Sequence, residues 1–449
     1  MKSKKEVLVV QPSYYLPDGK LIKRKKKLGL TPSLIGPYLA SYFPQNEFTV
    51  QMQDEVIHDI DFDRHYDLVA VPFSTPQAKR AYEIADRFRA RGITTLSGGY
   101  HVSTCLEEAS QHFDSLVKGE FEPIWDVLLA DLQKGNLKKL YNTESHFDMV
   151  NMKIPRYDLI DWKCFSTPLG SIIPLETSRG CPNQCDFCCV SVMHGRKMRF
   201  RPIEEVLEHI KKVQSMVNIP RKKYFFVDEN MIMVNKRNIK FFEALIPLNI
   251  KWHAFFSADC FRHPEFIELA ARSGCVGAIL GFETIKESNL EMVHKNNTTL
   301  GPYVQTAKAF KNSGIPVYAC LMMGFPDDTR ESLLETAKFL KKIKVQFSFI
   351  YTVYPFPGTR MRDSFLKQGM ISEEESWLNK NNPYKILNLK HFNESGDNFR
   401  ESFNQMCEDY FSYPAILNRS LGSGMFIRSM SENIGLKFLY KKYGVYATV

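Results

Sequence analysis

Short apolar runs alternate with segments of helical spacing along the first third of the chain. The apolar runs, typical of buried strands, are VLVVQ (7–11), FTVQMQ (48–53), LVAVPFS (68–74), TTLSGGYH (94–101) and SLVKGE (115–120). The segments between them repeat apolar residues at intervals of three and four, and two of them stop at Gly92 and Gly135. This alternation predicts an α/β fold with a doubly wound, Rossmann-like, mostly parallel sheet over residues 1–135.

The same alternation resumes at Ile172. The strand candidates there are IIPLET, KYFFVDEN, WHAFFSAD, VGAILGFE, PVYACLMMGFP and FSFIYTVYPFP, and helix-like segments begin near Pro202, Lys236, Pro264, Lys286, Leu300 and Thr329. Six strand–helix units are too few for an eight-stranded barrel, so residues 171–369 are predicted to form an open, partial (β/α)6 barrel. Residues 136–170 are consistent with a linker, and residues 370–449 with a small mixed C-terminal region that is helical in places.

Polar or glycine-rich residues follow three strands of the first sheet. They are Ser74-Thr75, Gly98-Gly99 and Gly119-Glu120. Because ligands of such sheets bind beyond the carboxyl ends of the strands, these residues are candidates for cofactor contacts. The alternative is that the glycines only make tight turns.

Composition is that of a soluble globular protein, with 44% hydrophobic and 24% charged residues in a chain long enough for two or three domains. The net charge is +9, and part of the excess lies in KLIKRKKK (20–27). That run fits a solvated loop, a site for a phosphate-bearing cofactor, or peripheral contact with an anionic membrane surface. Nucleic acid is not expected, because no recognisable binding motif accompanies the run.

The longest apolar stretch near the N-terminus, Val7 to Val10, is too short for a signal peptide, and no later stretch could span a bilayer. We therefore expect a cytoplasmic protein with reduced thiols and no disulfide framework. Six cysteines scattered through apolar segments are then most simply buried small hydrophobes: Cys105, Cys164, Cys260, Cys275, Cys320 and Cys407.

The remaining four cysteines fall within TSRGCPNQCDFCCV (177–190), where Cys181, Cys185 and Cys188 have the spacing C-x3-C-x2-C. Structural zinc needs four ligands, and Cys189 or His194 could supply the fourth. Adjacent Cys188 and Cys189, however, point in different directions and seldom bind one ion together. Three thiolates suit a four-iron cluster better, since they hold three irons and leave the fourth open to S-adenosylmethionine.

This spacing, with Phe187 between the last two cysteines, resembles the C-x3-C-x-aromatic-C signature of the radical S-adenosylmethionine superfamily. The resemblance implies a [4Fe–4S] cluster on Cys181, Cys185 and Cys188, with Cys189 as a bystander. It also implies that the cluster cleaves S-adenosylmethionine to a 5′-deoxyadenosyl radical.

Later strand ends fit the resemblance. Asp228, Glu229 and Asn230 lie where the family contacts the methionine amino group, and Ser257, Asp259 and Glu283 lie where it binds ribose or carboxylate groups. MGFP (323–326) and YPFPGT (354–359) would lie near adenine and substrate. Taken singly, each acidic residue has the alternative of a helix cap or a surface ion pair.

The N-terminal part resembles the cobalamin-binding domain that precedes the radical domain in one large subclass, on segments such as GLTPSLIGPYLASYFP, SGGYHV and VKGEFEPIWDVLLADL. The usual motif D-x-H-x-x-G, which supplies a histidine to cobalt, is missing, and DEVIHD (54–59) has the wrong spacing. Many members of the subclass bind cobalamin without that ligand. Ser74, Thr75, Gly98 and Gly99 are then the expected contacts along the corrin and its nucleotide tail, unless the domain is degenerate and empty.

Cobalamin beside a radical generator implies methylation of an unactivated carbon, with no catalytic side chain needed beyond the cluster. Aromatic residues make up 13% of the chain and favour a flat or apolar substrate if some line the cavity. Within the subclass, this points first to a chlorophyll-type tetrapyrrole, as in bacteriochlorophyll biosynthesis, and second to a hopanoid or isoprenoid. A peptide is a further possibility.

Two other functions compete with methylation. One is oxidative cyclisation or rearrangement in tetrapyrrole metabolism with the same cofactors. The other, from a different class, is a non-catalytic binding protein stabilised by zinc. For either radical reaction we expect an electron donor such as flavodoxin or ferredoxin as partner.

Overall fold

A computed structural model describes residues 3–16, 18–24, 31–167, 170–229, 233–295, 300–371, 376–378, 398–421 and 426–443. Parts of the sequence predictions lie outside the described residues. Among them are Asn230, residues 25–27 of the basic run, and residues 372–375, 379–397, 422–425 and 444–449 of the C-terminal region.

The first sheet has six parallel strands: β1 (Lys5–Gln11), β2 (Phe48–Asp54), β3 (Leu68–Ala70), β4 (Thr95–Gly98), β5 (Ser115–Lys118) and β6 (Leu140–Asn142). Their order is β2-β1-β3-β4-β5-β6. Its helices are α1 (Ile35–Ala40), α2 (Ala78–Arg89), α3 (Tyr100–Thr104), α4 (Leu106–Ser110) and α5 (Trp125–Gln133). This arrangement confirms the doubly wound sheet.

Both faces of this sheet are covered because its strands are apolar on both sides. In β1, Leu8 and Val10 join the core beneath α2, whereas Val7 and Val9 join the core beneath α1 and α5. Such continuous apolar runs are typical of parallel strands buried between two helical layers.

Part of the segment interpreted as a linker is structured. Residues Leu140–Asn142 form the edge strand β6, and only Tyr141 of the three is buried. Further along, Met149 and Met152 pack into the core of the first sheet beneath α1 and α5. Tyr157 packs into the core of the second sheet. The segment between the two sheets therefore belongs to both cores.

The second sheet also has six parallel strands: β7 (Ser171–Leu175), β10 (Lys222–Phe226), β11 (Trp252–Phe256), β12 (Cys275–Glu283), β13 (Val317–Met323) and β14 (Phe347–Thr352). They are hydrogen-bonded in chain order, β7 to β14. Between β7 and β10, a two-stranded antiparallel hairpin, β8 (Ser178–Arg179) with β9 (Arg199–Phe200), encloses the cysteine-rich segment. The predicted partial barrel is confirmed.

The remaining helices before the C-terminal region are α6 (Trp162–Phe165), α7 (Val190–Met193), α8 (Ile203–Met216), α9 (Lys236–Leu245), α10 (Pro264–Arg272), α11 (Glu287–Met292), α12 (Leu300–Asn312), α13 (Arg330–Ile343) and α14 (Arg360–Lys367). The outer strand residues, such as Phe226 and Leu280, form one core with buried residues of these helices. Inner residues such as Phe225, Ile279 and Tyr318 form a separate, smaller cluster inside the curved sheet.

Three helices follow in the C-terminal region: α15 (Phe399–Tyr410), α16 (Tyr413–Ser420) and α17 (Phe426–Tyr443). Helix α15 packs against α13, and Lys341 forms an ion pair with Asp409 at 2.6 Å. The Tyr440 hydroxyl of α17 accepts from the Ile350 amide at 2.7 Å and donates to the Ile350 carbonyl at 2.9 Å. It thus provides hydrogen-bond partners for two backbone groups of the edge strand β14. Among the helices in the described ranges, none is long and apolar enough to cross a bilayer.

Candidate functional site

A cavity of about 1210 Å³, here the first cavity, lies at the carboxyl ends of the second sheet. From the second sheet and its loops, the wall contains Cys181, Cys185, Cys188, Glu229, Ser257, Asp259, Glu283, Lys295, Cys320, Tyr351 and Tyr354. From the first sheet it contains Gln11 at the end of β1, and Ser74 and Gln77 after β3. The two sheets therefore direct their carboxyl ends at one space.

Three of the four clustered cysteines face this cavity. Cys181, Cys185 and Cys188 line it and form no disulfide, whereas Cys189 is absent from its wall. Burial raises the pKa of the Cys188 thiol to about 12 and that of Cys189 to about 11, and a hydrogen bond with Tyr100 partly offsets the latter. A metal that binds Cys188 would therefore have to displace the proton of its thiol.

The turn before the first cysteine requires glycine. Gly180 has φ +86°, and a Cβ built there would collide with the Lys197 carbonyl oxygen of the same hairpin. The far side of the cysteine loop is anchored by Asp186, which is 2.9 Å from the Arg360 guanidinium and 2.7 Å from His294 Nδ1. The loop is thus fixed at both ends before any metal binds.

The two acidic residues after β10 have different positions. Asp228 is fully buried away from the cavity and accepts from the Thr177 amide at 2.6 Å, the Thr177 hydroxyl at 2.5 Å and the Ser178 hydroxyl at 2.9 Å. Burial raises its pKa to about 7, against the lowering effect of these donors. Asp228 therefore supports the cysteine hairpin from behind.

Glu229 points into the first cavity. Its Oε1 lies 3.4 Å from His194 Nε2, and its buried Oε2 has no hydrogen-bond partner among the described residues. Burial raises the pKa of this carboxyl group. Since a buried carboxylate oxygen without a donor is unfavourable, the position suits a cationic ligand group.

The next strand ends contribute further polar groups to the wall. The Ser257 hydroxyl donates to Asp259 at 2.5 Å. A register shift near the end of β12 places Glu283 at φ +61°, where its Oε1 lies 2.6 Å from Lys295 Nζ. Burial lowers the pKa of Lys295, but the adjacent Glu283 carboxylate more than compensates and the pKa is raised. Sequence reasoning missed Lys295, because a single lysine in a loop carries no motif.

A second, smaller cavity of about 100 Å³ lies at the carboxyl ends of β3, β4 and β5. Gly98, Gly99, Gly119 and Glu120 line it, together with apolar residues that include Ile35, Leu39, Trp125 and Leu128. Gly99 has φ +106°, a conformation that favours glycine, at the start of α3. Of the other candidates in this part, Ser74 lines the first cavity, whereas Thr75 lines neither and contacts His101 Nδ1 at 3.1 Å.

Glu120 is the centre of a buried ionic network between the two cavities. It accepts from His194 Nδ1 at 2.8 Å, from Arg199 at 2.7 and 2.9 Å, and from the Phe147 amide at 2.7 Å. Burial raises the pKa of Glu120, but the hydrogen bonds from His194 and Arg199 and the charge of Arg179 together lower it far below its usual range. A carboxylate of the first sheet thus holds the cysteine hairpin of the second.

Arg179 extends this network. Its guanidinium lies 2.7 Å from Glu122, which follows β5, and 2.9 Å from Glu176, which follows β7. Burial lowers its pKa, yet Glu176 and Glu122 raise it more. Arg179 and Arg199 were not identified from the sequence, although both flank the cysteine motif.

Comparison with known proteins gives one family match and several relatives. A family model described as the radical SAM superfamily matches residues 175–340. The chain is 29% identical over 364 residues to bacteriochlorophyllide d C-12(1)-methyltransferase of Chlorobaculum tepidum, covering 80% of this chain and 78% of the relative. It is 30% identical over 336 residues to bacteriochlorophyllide d C-8(2)-methyltransferase of the same organism, covering 73% of this chain and 74% of the relative.

A solved structure has the same fold. The structure of the radical S-adenosylmethionine methyltransferase TsrM from Kitasatospora setae, with cobalamin and a [4Fe-4S] cluster bound, matches with a TM-score of 0.63 at 15% identity. The match covers 82% of this chain and 75% of that chain. It therefore includes both sheets of the present fold.

Proposed function

The chain belongs to the radical S-adenosylmethionine superfamily, and from this premise we propose that it is a cobalamin-dependent C-methyltransferase acting on an unactivated carbon of an apolar substrate. The observation that carries the proposal is the set of three cysteines, Cys181, Cys185 and Cys188, that form no disulfide and line one cavity of about 1210 Å³. Pockets for one small ligand are generally about 300–1,000 Å³, so this cavity has room for more than one molecule.

The donor set fits a three-cysteine cluster better than zinc. Neither residue that could complete a zinc site is well placed for it: Cys189 lies outside the cavity wall, and His194 directs Nδ1 to Glu120 and Nε2 towards Glu229. When bound, a [4Fe–4S] cluster supplies the electron that cleaves S-adenosylmethionine, and cobalamin supplies the methyl group. The protein contributes ligands, orientation and exclusion of water.

Charged groups suited to S-adenosylmethionine stand around the cysteines. We assign the unpartnered oxygen of Glu229 to the methionine ammonium, and Ser257 with Asp259 to ribose hydroxyls. Glu283 with Lys295 is assigned to a further ribose or carboxylate contact, in which the lysine provides the positive charge that a carboxylate needs. Asp228 does not face the cavity and instead accepts hydrogen bonds from Thr177 and Ser178 at the start of the hairpin. The contact of Asn230 stays a prediction.

The first sheet offers a site that fits part of cobalamin. Gly98, Gly99 and Gly119 leave the strand ends free of side chains, and Trp125 and Leu128 provide an apolar wall. At about 100 Å³ the second cavity holds only the narrow end of such a cofactor, so the ring needs the first cavity, where Ser74 lies. His58, the histidine nearest to the missing motif, lines neither of these two cavities and pairs with Asp161 at 3.3 Å.

Aromatic residues at the ends of β11 and β14 suit an apolar substrate. Phe255, Phe256, Tyr351, Tyr354 and Phe356 belong to the wall of the first cavity. We propose a chlorophyll-type tetrapyrrole as substrate, with a hopanoid or isoprenoid second. A flavodoxin or ferredoxin serves as electron donor, and the protein works in the cytoplasm.

The test is anaerobic reconstitution followed by turnover. Reconstituted protein should be brown and absorb broadly near about 400 nm, as iron–sulfur proteins do. With S-adenosylmethionine, cobalamin, a reductant and a bacteriochlorophyllide, the product should gain one methylene. Loss of hydrogens or gain of oxygen in the product would instead identify a cyclase, and a colourless protein with one zinc per chain would exclude the enzyme altogether.

A further inference from the structure

Exposed apolar side chains are concentrated in the last two helices. Of the fourteen large apolar side chains exposed in the described residues, six lie between residues 413 and 438. These six define the C-terminal apolar surface, and they are Tyr413, Leu417, Leu421, Phe426, Ile427 and Phe438. Their exposed fractions run from 44% to 75%, so the core does not account for their apolar character.

In α16 the exposed residues form a stripe. Tyr413 and Leu417 are four positions apart on one face of α16, and the exposed Leu421 follows directly after its last residue. The opposite face of α16 packs against the rest of the C-terminal region, where Ile416 and Arg419 are buried. The stripe is therefore additional to the packing face.

Helix α17 has the same division. Its buried side contains Asn433 and Tyr440, which bond to backbone groups at β14. Ile427 and Phe438 are eleven positions apart, about three turns, and so share a face on the other side. A surface helix normally directs its apolar side chains at the core, whereas α17 also exposes these two.

The charge around this surface is positive. Residues 411–443 contain five basic residues and one acidic residue, Glu432, and of the basic residues Arg419 is buried. Lys441 and Lys442 are exposed at the end of α17, and the Lys437 ammonium lies 4.2 Å from the centre of the Tyr413 ring. Aliphatic and aromatic side chains bordered by lysines are the composition of helices that lie in a lipid interface.

We propose that the C-terminal apolar surface docks on an anionic lipid bilayer, with α16 and α17 lying in its interface. This goes beyond the methyl transfer proposed above and does not depend on it. The position suits an apolar substrate, since α17 borders β14, the edge strand of the open barrel, and Tyr351 and Thr352 of β14 line the first cavity.

The test is flotation of the full chain, prepared anaerobically, with vesicles of phosphatidylcholine alone or mixed with phosphatidylglycerol. The wild type should float with the mixed vesicles and less so as salt rises. The variant Leu417→Ser/Leu421→Ser/Ile427→Ser should lower the apparent vesicle affinity at least about tenfold. Lys441→Glu/Lys442→Glu should lower affinity for the mixed vesicles alone.

Matched controls keep the number of changes constant. Val127→Ser/Met216→Ser/Ile246→Ser alters three exposed apolar residues elsewhere, and Lys308→Glu/Lys311→Glu alters two exposed lysines of α12. Both should bind vesicles like the wild type, and unchanged circular dichroism in every variant excludes unfolding as the cause.

Three results would overturn the proposal. The first is no flotation of the wild type. The second is equal flotation of the surface and control variants, which would assign lipid binding to another basic segment such as residues 20–27. The third is a wild-type dimer in light scattering that the surface variant dissociates without any vesicle binding, which would assign the surface to a second copy of this chain.

Discussion

The two sheets of this protein have the same number of parallel strands, yet their carboxyl ends offer opposite chemistry. The second sheet ends in charged residues such as Glu229 and Glu283 around three thiols. The first sheet ends in Gly98, Gly99 and Gly119 against apolar helices. One cavity can hold a metal and charged ligand groups. The other, lined by glycines, apolar side chains and a Glu120 carboxylate already bonded to His194 and Arg199, can admit only the narrow end of a cofactor.

Strand order explains why the openings differ. The second sheet runs in chain order, so its helices cover the outer face and its concave face encloses the first cavity. The first sheet reverses direction between β1 and β3, and such a switch point is where a doubly wound sheet opens. Gln11 is the last residue of β1, and Ser74 lies just after β3. Both line the first cavity. The switch point of one sheet thus faces the mouth of the other.

The sharpest contrast is between the thiols that line the first cavity and the one that does not. Cys181→Ala, Cys185→Ala or Cys188→Ala should each lower turnover at least about 10⁴-fold, because loss of one ligand destabilises the cluster on which cleavage depends. Cys189→Ala, adjacent in sequence but outside the cavity wall, should keep iron content and turnover. The iron content per chain and the rate of 5′-deoxyadenosine formation should be measured in all four variants. A loss of iron and of turnover in Cys189→Ala equal to that in the other three would refute the ligand assignment.

The next prediction concerns the connection between the sheets. Glu120→Gln keeps the shape but removes the negative charge that faces Arg199, so the buried Arg199 guanidinium loses its carboxylate partner. Unfolding in urea should show a loss of about 3 kcal/mol in the free energy of unfolding. Asp158→Asn, which breaks a half-exposed pair with Arg156, should cost under about 1 kcal/mol. Similar losses for both would mean that Glu120 does not join the sheets.

The two sheets could be predicted from the sequence because their signals are local, whereas the contacts between them could not. Apolar runs and helical spacing identify strands such as β1 and β11 one by one. Strand β6 was missed since a three-residue edge strand with one buried side chain, Tyr141, gives little pattern. The role of Glu120 depends on Arg199, 79 positions away, which no local pattern reveals.

The candidate site shows the same limit at closer range. Asp228 and Glu229 were predicted together, yet one supports the hairpin and the other faces the cavity. Both residues follow the end of β10 at Phe226, so strand alternation could not have separated them. The cysteine spacing was informative because the motif is local, whereas Lys295 reaches the wall from a loop.

A smaller effect tests the charge of the first cavity. Glu229→Gln should weaken S-adenosylmethionine binding about 10–100-fold, since a charge-assisted hydrogen bond to the ammonium is lost. Burial raises the pKa of Glu229, so protonation as the pH falls through that raised pKa should progressively weaken binding to the wild type.

Equilibrium binding to the reconstituted protein between about pH 8 and about pH 5 measures this dependence. The Glu229→Gln variant should bind with a flatter pH profile than the wild type. As a control, Glu265→Gln at an exposed position of α10 should keep the wild-type profile. An unchanged profile in Glu229→Gln would assign the ammonium to another group.

The smallest predicted effect tests whether the second cavity is a separate site. Ile35 lies half-exposed at the start of α1 and lines this cavity, so Ile35→Trp should fill part of it without disturbing the core. Cobalamin uptake, read from the visible absorption of desalted protein, should fall about tenfold because the narrow end of the cofactor can no longer enter. Cleavage of S-adenosylmethionine to 5′-deoxyadenosine should persist, since the cysteines lie in the other cavity. Ile35→Ala, which enlarges the same space, should keep the uptake, and a parallel loss of uptake and cleavage in Ile35→Trp would show that the two cavities act as one.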